Sequence, residues 1–450
     1  MLPATALTLR EKLASGEISS REATEHYLEQ ISGQAALGAF VHVDAEGALQ
    51  AAAEADELQA AGGPLGRLHG LPTAFKDLND VAGMPTTHGT AAFPHPPAEA
   101  DHPLVAQLRG EGTIILGKTQ VPEFGLSSYS ENLVNPPSRN PFDPSRLSGG
   151  SSGGQAAAIA AGMIPLGPGS DGGGSVRIPA AACGLVGLKP SLGRIASDVL
   201  AGYSDAFGAP KLAVSGPLAK NALDAALLMD AMRGRDHYLP LLRSGYPEQL
   251  QELKIGFSTA SPFETAYEIS LDEAARSAFE AGLRKLAEHH RIIPADFDYA
   301  SDYPQAFSTV WTNGLKNVAI EDDSLLGELA RDFRRRSEYR SLELSLQGAA
   351  RLKNIAADFV RQWSEYDVVA TPALGGVPPK VGHYTQSDAD HDYMLQCQYS
   401  PYTSMVNVAG LAAVTVPVST TKAGLLMSIQ LISPRSDEGM LLALAAQLEM

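Results

Sequence analysis

Along the chain, alanine- and leucine-bearing stretches broken by polar residues alternate with short, unbroken apolar runs. The pattern predicts helices alternating with strands. The start reads as helical: Ser19 and Glu22 form a capping box ahead of ATEHYLEQI, and an alanine-rich helix covers Ala45 to Ala61. Pro72 to Lys76 reads as a short strand, Pro103 to Arg109 as a helix, and Thr113 to Leu116 as an apolar, β-rich run. The polar, proline-bearing stretch Ser127 to Ser148 reads as loop. Gln155 to Ala161 is a short helix, Ile164 to Leu166 a strand, and Asp171 to Ser175 a tight turn. Farther on, a strand over Lys254 to Ser258 precedes a helix capped by Ser270 with Glu273 and running to about His289. Strand and helix segments alternate throughout, which predicts an α/β layered fold. No repeat and no low-complexity linker interrupts it.

Composition narrows the picture. The 450 residues supply ample material for a large core, with 44% hydrophobic and 19% charged residues. A formal net charge of −17 argues against a nucleic-acid or anionic-membrane surface and fits a soluble protein. The two cysteines, Cys183 and Cys397, suggest no disulfide framework, with a single bridge left open by composition, and Cys183 in AACGLVG reads as a buried small residue. No apolar run reaches transmembrane length, and the first residues carry charges where a signal peptide needs its apolar stretch. The expected compartment is the cytoplasm.

Candidate chemistry concentrates between Gly149 and Lys189. Two serines, Ser151 and Ser175, sit in glycine-rich settings 24 positions apart, and Lys76 lies 75 positions before Ser151 among apolar residues in LPTAFKD. Glycines around a serine allow an unhindered hydroxyl and let backbone N–H groups converge on an oxyanion. A lysine in an apolar setting can lose its proton and serve as a base. Together they are the material of serine hydrolysis without histidine.

These residues resemble the amidase signature family, whose pattern reads roughly GGSSGG, then G-S/T-D-x-GGS-I/V-R-x-P, then CG-x-x-G-x-KP. Here it appears as Gly149 to Gly154, Gly169 to Pro179 and Cys183 to Pro190, with Lys76–Asp77 matching the upstream lysine. Further landmarks are ILGKT (Ile115 to Thr119), EFG (Glu123 to Gly125), SRNPFD, SGP, YDVVATP, and N-x-x-G-L from Asn407 leading to Gln430. The resemblance implies one domain with a large mixed β-sheet covered by helices on both faces. Its parts would be an N-terminal helical segment (1–62), the signature core (63–220), a variable substrate-determining region (221–365) and a C-terminal part of the core (366–450). It implies a Ser–Ser–Lys amidase: Ser175 as nucleophile, Ser151 as proton bridge, and neutral Lys76 as base. Backbone N–H groups of Gly172, Gly173, Gly174 and Ser175 would form the oxyanion hole. Ser152, Asp171 and Arg177 would support the loop and turn, and the Gly150–Ser151 peptide is expected to be cis. No cofactor and no metal are expected. The expected partner is a small amide (aryl, aliphatic or carbamate-like), and a homodimer is compatible with the sequence. The segment after EFG, with Gly125, Leu126, Ser127 and Tyr129, and the variable region, with Phe307 and Trp311, supply candidate pocket walls. Departures are few: Gly172 replaces a bulkier residue and suggests a looser turn or roomier pocket, Ser191 stands for threonine, and Ala412 follows Gly410–Leu411 where proline is usual.

Other patterns admit rival readings. GTIILGKT satisfies the phosphate-loop pattern, but Ile114, Ile115 and Leu116 favour a strand and Pro122 disrupts the helix that should follow. GGSSG satisfies G-x-S-x-G, which in an α/β-hydrolase would make Ser151 the nucleophile with His383 or His391 as base; it leaves Lys76 and SDGGGS unexplained. The eleven histidines show no tight metal spacing, and His289–His290 reads as a helix end. Lys76 paired with Asp77 and solvated is the bland alternative. The second function class is a component of a tRNA-dependent amidotransferase assembly. The runs LAVSGP and SDGGGS favour a stand-alone amidase over it.

Overall fold

The computed structural model describes residues 2–449. The N-terminal helix pair forms where its caps predict: Ser19 Oγ accepts the Glu22 N–H at 3.1 Å, while the Glu22 carboxylate accepts the Ser19 N–H at 2.8 Å. Strands β1 (Phe40–Val43), β2 (Pro72–Lys76) and β3 (Ile114–Thr119) make a small sheet in the order β1-β3-β2, with β2 parallel to β3. All six residues of β3 are buried. The phosphate-loop look-alike is therefore a strand, and its Lys118 pairs with Asp77 at 2.9 Å.

A short hairpin, β4 (Arg139–Asn140) and β5 (Asp143–Leu147), lies inside the stretch read as loop. The main sheet comprises β6 (Leu166–Asp171), β7 (Val186–Lys189), β8 (Val214–Ala219), β9 (Lys254–Phe257), β10 (Arg291–Pro294), β11 (Val368–Pro372), β12 (Ala412–Thr420) and β13 (Leu426–Ser433). Its order is β10-β9-β11-β13-β12-β7-β8-β6. The β10-β9-β11 end is parallel and the remaining pairs are antiparallel.

Side-chain alternation along the central strands sends neighbours into two cores. Ala370, Val414 and Leu431 join one core with helices Ala222–Arg233, Glu273–Leu286 and Glu438–Glu449. Val369, Ala413 and Ile432 join the other with helices Tyr303–Asn313, Leu342–Trp363 and Ser404–Ala409. The fold is α/β, a large mixed sheet with helices on both faces. Among the described residues no helix is long and apolar enough to cross a membrane.

Two elements differ from expectation. The strand expected over Ile164 to Leu166 runs instead from Leu166 to Asp171. Pro168 obscured it, and the position is tolerated because β6 is an edge strand needing no donor on its open side. The helix expected from Ser270 to His289 is Glu273–Leu286, capped by Asp272, whose carboxylate accepts the Ala275 N–H at 2.7 Å. His290 lies beyond it, with its ring 2.8 Å from Gln447 Oε1.

Candidate active site

The strand β2 ends on Lys76, and the helix Gly153–Ala160 begins just after Ser151. Backbones approach closely at this loop. A Cβ at Gly150 would stand 2.5 Å from the Tyr129 nitrogen, so only glycine fits there. The Gly150–Ser151 peptide is cis.

Lys76 is 1% exposed, and its Nζ lies 2.7 Å from Ser151 Oγ, 2.9 Å from Ser170 Oγ and 3.3 Å from the Ser170 carbonyl. None of the three partners is charged. Asp77 is engaged with Lys118, Thr87 and the Thr87 N–H, so the solvated Lys76–Asp77 pair does not form. Burial pulls the Lys76 ammonium down to about 7, with the Asp171 carboxylate opposing. Lys76 Nζ donates to both Ser170 oxygens and to Ser151 Oγ; a neutral amine, with two N–H bonds and a lone pair, can keep the Ser170 contacts and accept from the Ser151 hydroxyl. Ser170 is the member that sequence reasoning did not single out, although it occupies the S/T of the G-S/T-D pattern.

The Asp171–Ser175 turn is held from inside. Asp171 and Arg177 are both fully buried and paired at 2.9 Å. Asp171 also accepts the N–H groups of Gly174 at 2.8 Å and Val176 at 3.1 Å. Burial alone would raise the Asp171 carboxyl, but Arg177, together with Lys189 and Asn407, more than offsets it and holds the group well below the usual carboxylate range. The guanidinium further donates to Gln430 Oε1 at 2.7 Å, Asn407 Oδ1 at 2.7 Å and the Thr403 carbonyl at 3.0 Å. These contacts explain why Asn407 and Gln430 stood out as landmarks. Gly174 needs its glycine: φ is +131°, and a Cβ would meet Thr403 Oγ1 at 2.4 Å. Removing the charge with Asp171→Asn should leave a buried, unpaired Arg177 and cost about 3–5 kcal/mol. A urea midpoint within error of the unsubstituted protein would contradict this.

The Gly174 N–H is occupied by Asp171. Among the described residues, the N–H groups of Gly172, Gly173 and Ser175 have no protein acceptor. The two glycine-rich segments are joined by the Ser152 N–H, which donates to the Ser175 carbonyl at 3.2 Å; Ser152 Oγ reaches the Ser170 carbonyl at 3.4 Å. The Ser175 hydroxyl has no hydrogen-bond partner among the described residues, and Ser175 lines a cavity of about 460 Å³ including its mouth.

Of the expected pocket residues, Leu126, Ser127, Phe307 and Trp311 line this cavity, joined by Phe263 and Ile178. Gly125 and Tyr129 do not. Gly125 lines a neighbouring groove, where its Cβ would stand 3.4 Å from Ser151 Oγ. Tyr129 turns away to stack on Tyr384 (centroids 4.4 Å apart) and donates to Asp392 at 2.7 Å. Gly172 does not make the pocket roomier, because a Cβ there would meet the Trp311 ring at 3.3 Å. His383 and His391 are exposed, line neither cavity nor groove, and make no hydrogen bond to Ser151. Both cysteines are buried and free, and burial raises both thiols.

The family model for amidases matches residues 22–442. The chain belongs to the amidase family. It is an amide-bond hydrolase of the amidase signature type. A Mycobacterium bovis protein provisionally named amidase AmiB2 is 35% identical, over 97% of this chain and 94% of its own. A glutamyl-tRNA(Gln) amidotransferase component of Thioalkalivibrio sulfidiphilus is 31% identical, over 98% and 96%. The solved structure of 6-aminohexanoate cyclic dimer hydrolase shares the fold, with a TM-score of 0.86 at 24% identity, covering 100% of this chain and 97% of that one.

Proposed function

We propose that this amidase works through a Ser–Ser–Lys relay. Ser175 Oγ attacks the amide carbonyl carbon. Its proton passes to Ser151 Oγ as Ser151 yields its own to the neutral Lys76 amine. The oxyanion so formed is stabilised by the N–H groups of Gly172, Gly173 and Ser175, a type of contact worth about 3 kcal/mol per donor. The tetrahedral adduct collapses by breaking the C–N bond. The proton returns from Lys76 through Ser151 to the leaving nitrogen, and the free amine departs. Water then attacks the ester carbonyl by the same relay, and Ser175 Oγ leaves with a proton as the acid is released. The observation that carries this reading is the 2.7 Å contact between Ser151 Oγ and a buried Lys76 that has no charged hydrogen-bond partner among the described residues.

The apolar and aromatic cavity walls favour a small aryl, aliphatic or carbamate-like amide as substrate. The test is a hydrolysis screen of amides, esters and carbamates, with intact-mass detection of an acyl-enzyme. A protein that instead releases ammonia only from glutamine, and purifies with partner proteins, would be an amidotransferase component like its Thioalkalivibrio sulfidiphilus relative.

The relay needs neither imidazole nor metal. Single alanine replacements of His383 and His391 should leave kcat within a few fold, whereas a general-base histidine contributes about 10²-fold or more. Activity should likewise survive a chelator. No group of three or more His, Cys, Asp or Glu side chains gathers as a metal set among the described residues. Rate collapse in a folded histidine variant, or loss in chelator restored by a divalent ion, would overturn the assignment.

A further inference from the structure

The cavity beside Ser175 and the groove lined by Gly125, a glycine packed close to Ser151, meet at two side chains. Leu126 and Trp311 belong to both walls. Gly125, on the groove side, brings that wall to the Ser151 hydroxyl. The two compartments differ in size: about 460 Å³ for the cavity and about 1110 Å³ for the groove, each counted with its open mouth.

The Trp311 ring is held at the partition from both sides. Tyr303, Phe307 and Trp311 follow one another at four-residue spacing on the helix Tyr303–Asn313, so they share one face. Their rings stack, with Tyr303 and Phe307 at 5.7 Å and 11°, and Phe307 and Trp311 at 5.6 Å and 19°. The far end is tied down where the Tyr303 hydroxyl lies 2.8 Å from Ser404 Oγ. The near end rests on the oxyanion turn. A Cβ on Gly172 would meet Trp311 Cζ3 at 3.3 Å and Cη2 at 3.4 Å, and one on Gly173 would meet Cη2 at 3.7 Å. Gly172 does not have the left-handed φ that calls for glycine, so what disfavours a side chain there is tight contact with the tryptophan ring.

We propose that Trp311, seated on the side-chain-free Gly172, is the specificity-determining residue that limits the acyl half of the substrate to a short or planar apolar group while leaving the amine half unrestricted. The assignment of halves rests on the Ser–Ser–Lys reading. Ser151 returns the proton to the leaving nitrogen, so the amine lies on the Ser151 side, in the groove. The carbonyl sits on Ser175, so the acyl group enters the cavity. There a flat ring can lie against Trp311 and Phe307, at the edge of Phe263. A flexible chain longer than the cavity meets the Trp311 ring, which cannot retreat because Phe307 is behind it.

The test uses acetyl, hexanoyl and benzoyl anilides, together with acetyl naphthylamide, on the unsubstituted chain and on W311A, W311V and W311F. Unsubstituted protein should accept the larger amine within a few fold and disfavour hexanoyl against acetyl. W311A and W311V should both raise the hexanoyl-to-acetyl ratio of kcat/KM by at least about 10-fold, the scale that pocket contacts set for aliphatic groups. W311F, still flat, should stay near the starting ratio. Benzoate titrated against tryptophan emission supplies a readout that needs no turnover. The chain has two tryptophans and the other, Trp363, is fully buried, so benzoate should change the emission of the unsubstituted protein and not that of W311F. Hydrolysis with unchanged ratios in both W311A and W311V overturns the proposal. A benzoate response that depends on Trp311, with no hydrolysis of any anilide, supports the cavity assignment while the relay fails. The absence of any Trp311-dependent response to benzoate overturns the cavity assignment.

Discussion

Ser175→Ala should lower turnover by roughly 10⁶-fold and abolish acyl-enzyme formation, the scale reached when the nucleophile is removed from a serine hydrolase. The two serine hydroxyls of the neighbouring glycine-rich loop are already engaged. Ser151 Oγ is bound to Lys76, and Ser152 Oγ points to the Ser170 carbonyl. Ser151→Ala should behave differently. The nucleophile and the oxyanion N–H groups survive, and a water in the vacated space can link Ser175 to Lys76. Slow but measurable acylation should therefore persist. Rapid-quench mass analysis of both variants decides the matter. Loss of acylation in Ser151→Ala with retention in Ser175→Ala would reverse the roles.

Replacing the base should remove both rate and pH dependence. Lys76 accepts a proton only when neutral, and burial brings its ammonium down to about 7. Below that pH the neutral fraction falls about tenfold per unit, so kcat/KM should rise with pH, pass half-maximum near 7 and level off above it. Lys76→Ala should cost about 10²- to 10⁴-fold at the plateau and erase the ascending limb. Lys76→Arg should not restore activity, because a guanidinium stays protonated across the range. The Asp171 charge opposes the lowering, so neutralising it with Asp171→Asn should shift the limb to lower pH if the protein remains folded. An active Lys76→Arg variant with an unchanged limb would show that another group takes the proton.

Much of this site was legible because its chemistry is local. Ser151 and Ser175 are displayed by glycines within a few residues, and Asp171 reaches the turn it stabilises from inside the same motif. What the sequence hid depends on distant packing. Ser170 looks like any strand serine until β6 brings its hydroxyl 2.9 Å from Lys76. Lys118, in a deceptive phosphate-loop pattern, shows its purpose only when β3 lies beside β2 and pairs it with Asp77. Tyr129 has the character of a pocket wall, yet Tyr384 and Asp392, more than 250 positions away, draw it elsewhere. Gly172 suggested extra space, and a tryptophan from the variable region fills it. At the fold level, alternation of helix and strand indicated the layered architecture. The edge strand β6 was displaced in the reading because Pro168 and its flanking glycines look like a turn.

The measurement that bears most directly on the relay is peptide mapping of the covalent intermediate. The unsubstituted protein is quenched in acid during turnover of a slowly deacylating aryl ester, digested, and the acyl mass located. A single adduct on Ser175 is expected, forming faster as pH rises through about 7. An adduct on Ser151, or burst kinetics with no covalent mass on either serine, would contradict the relay.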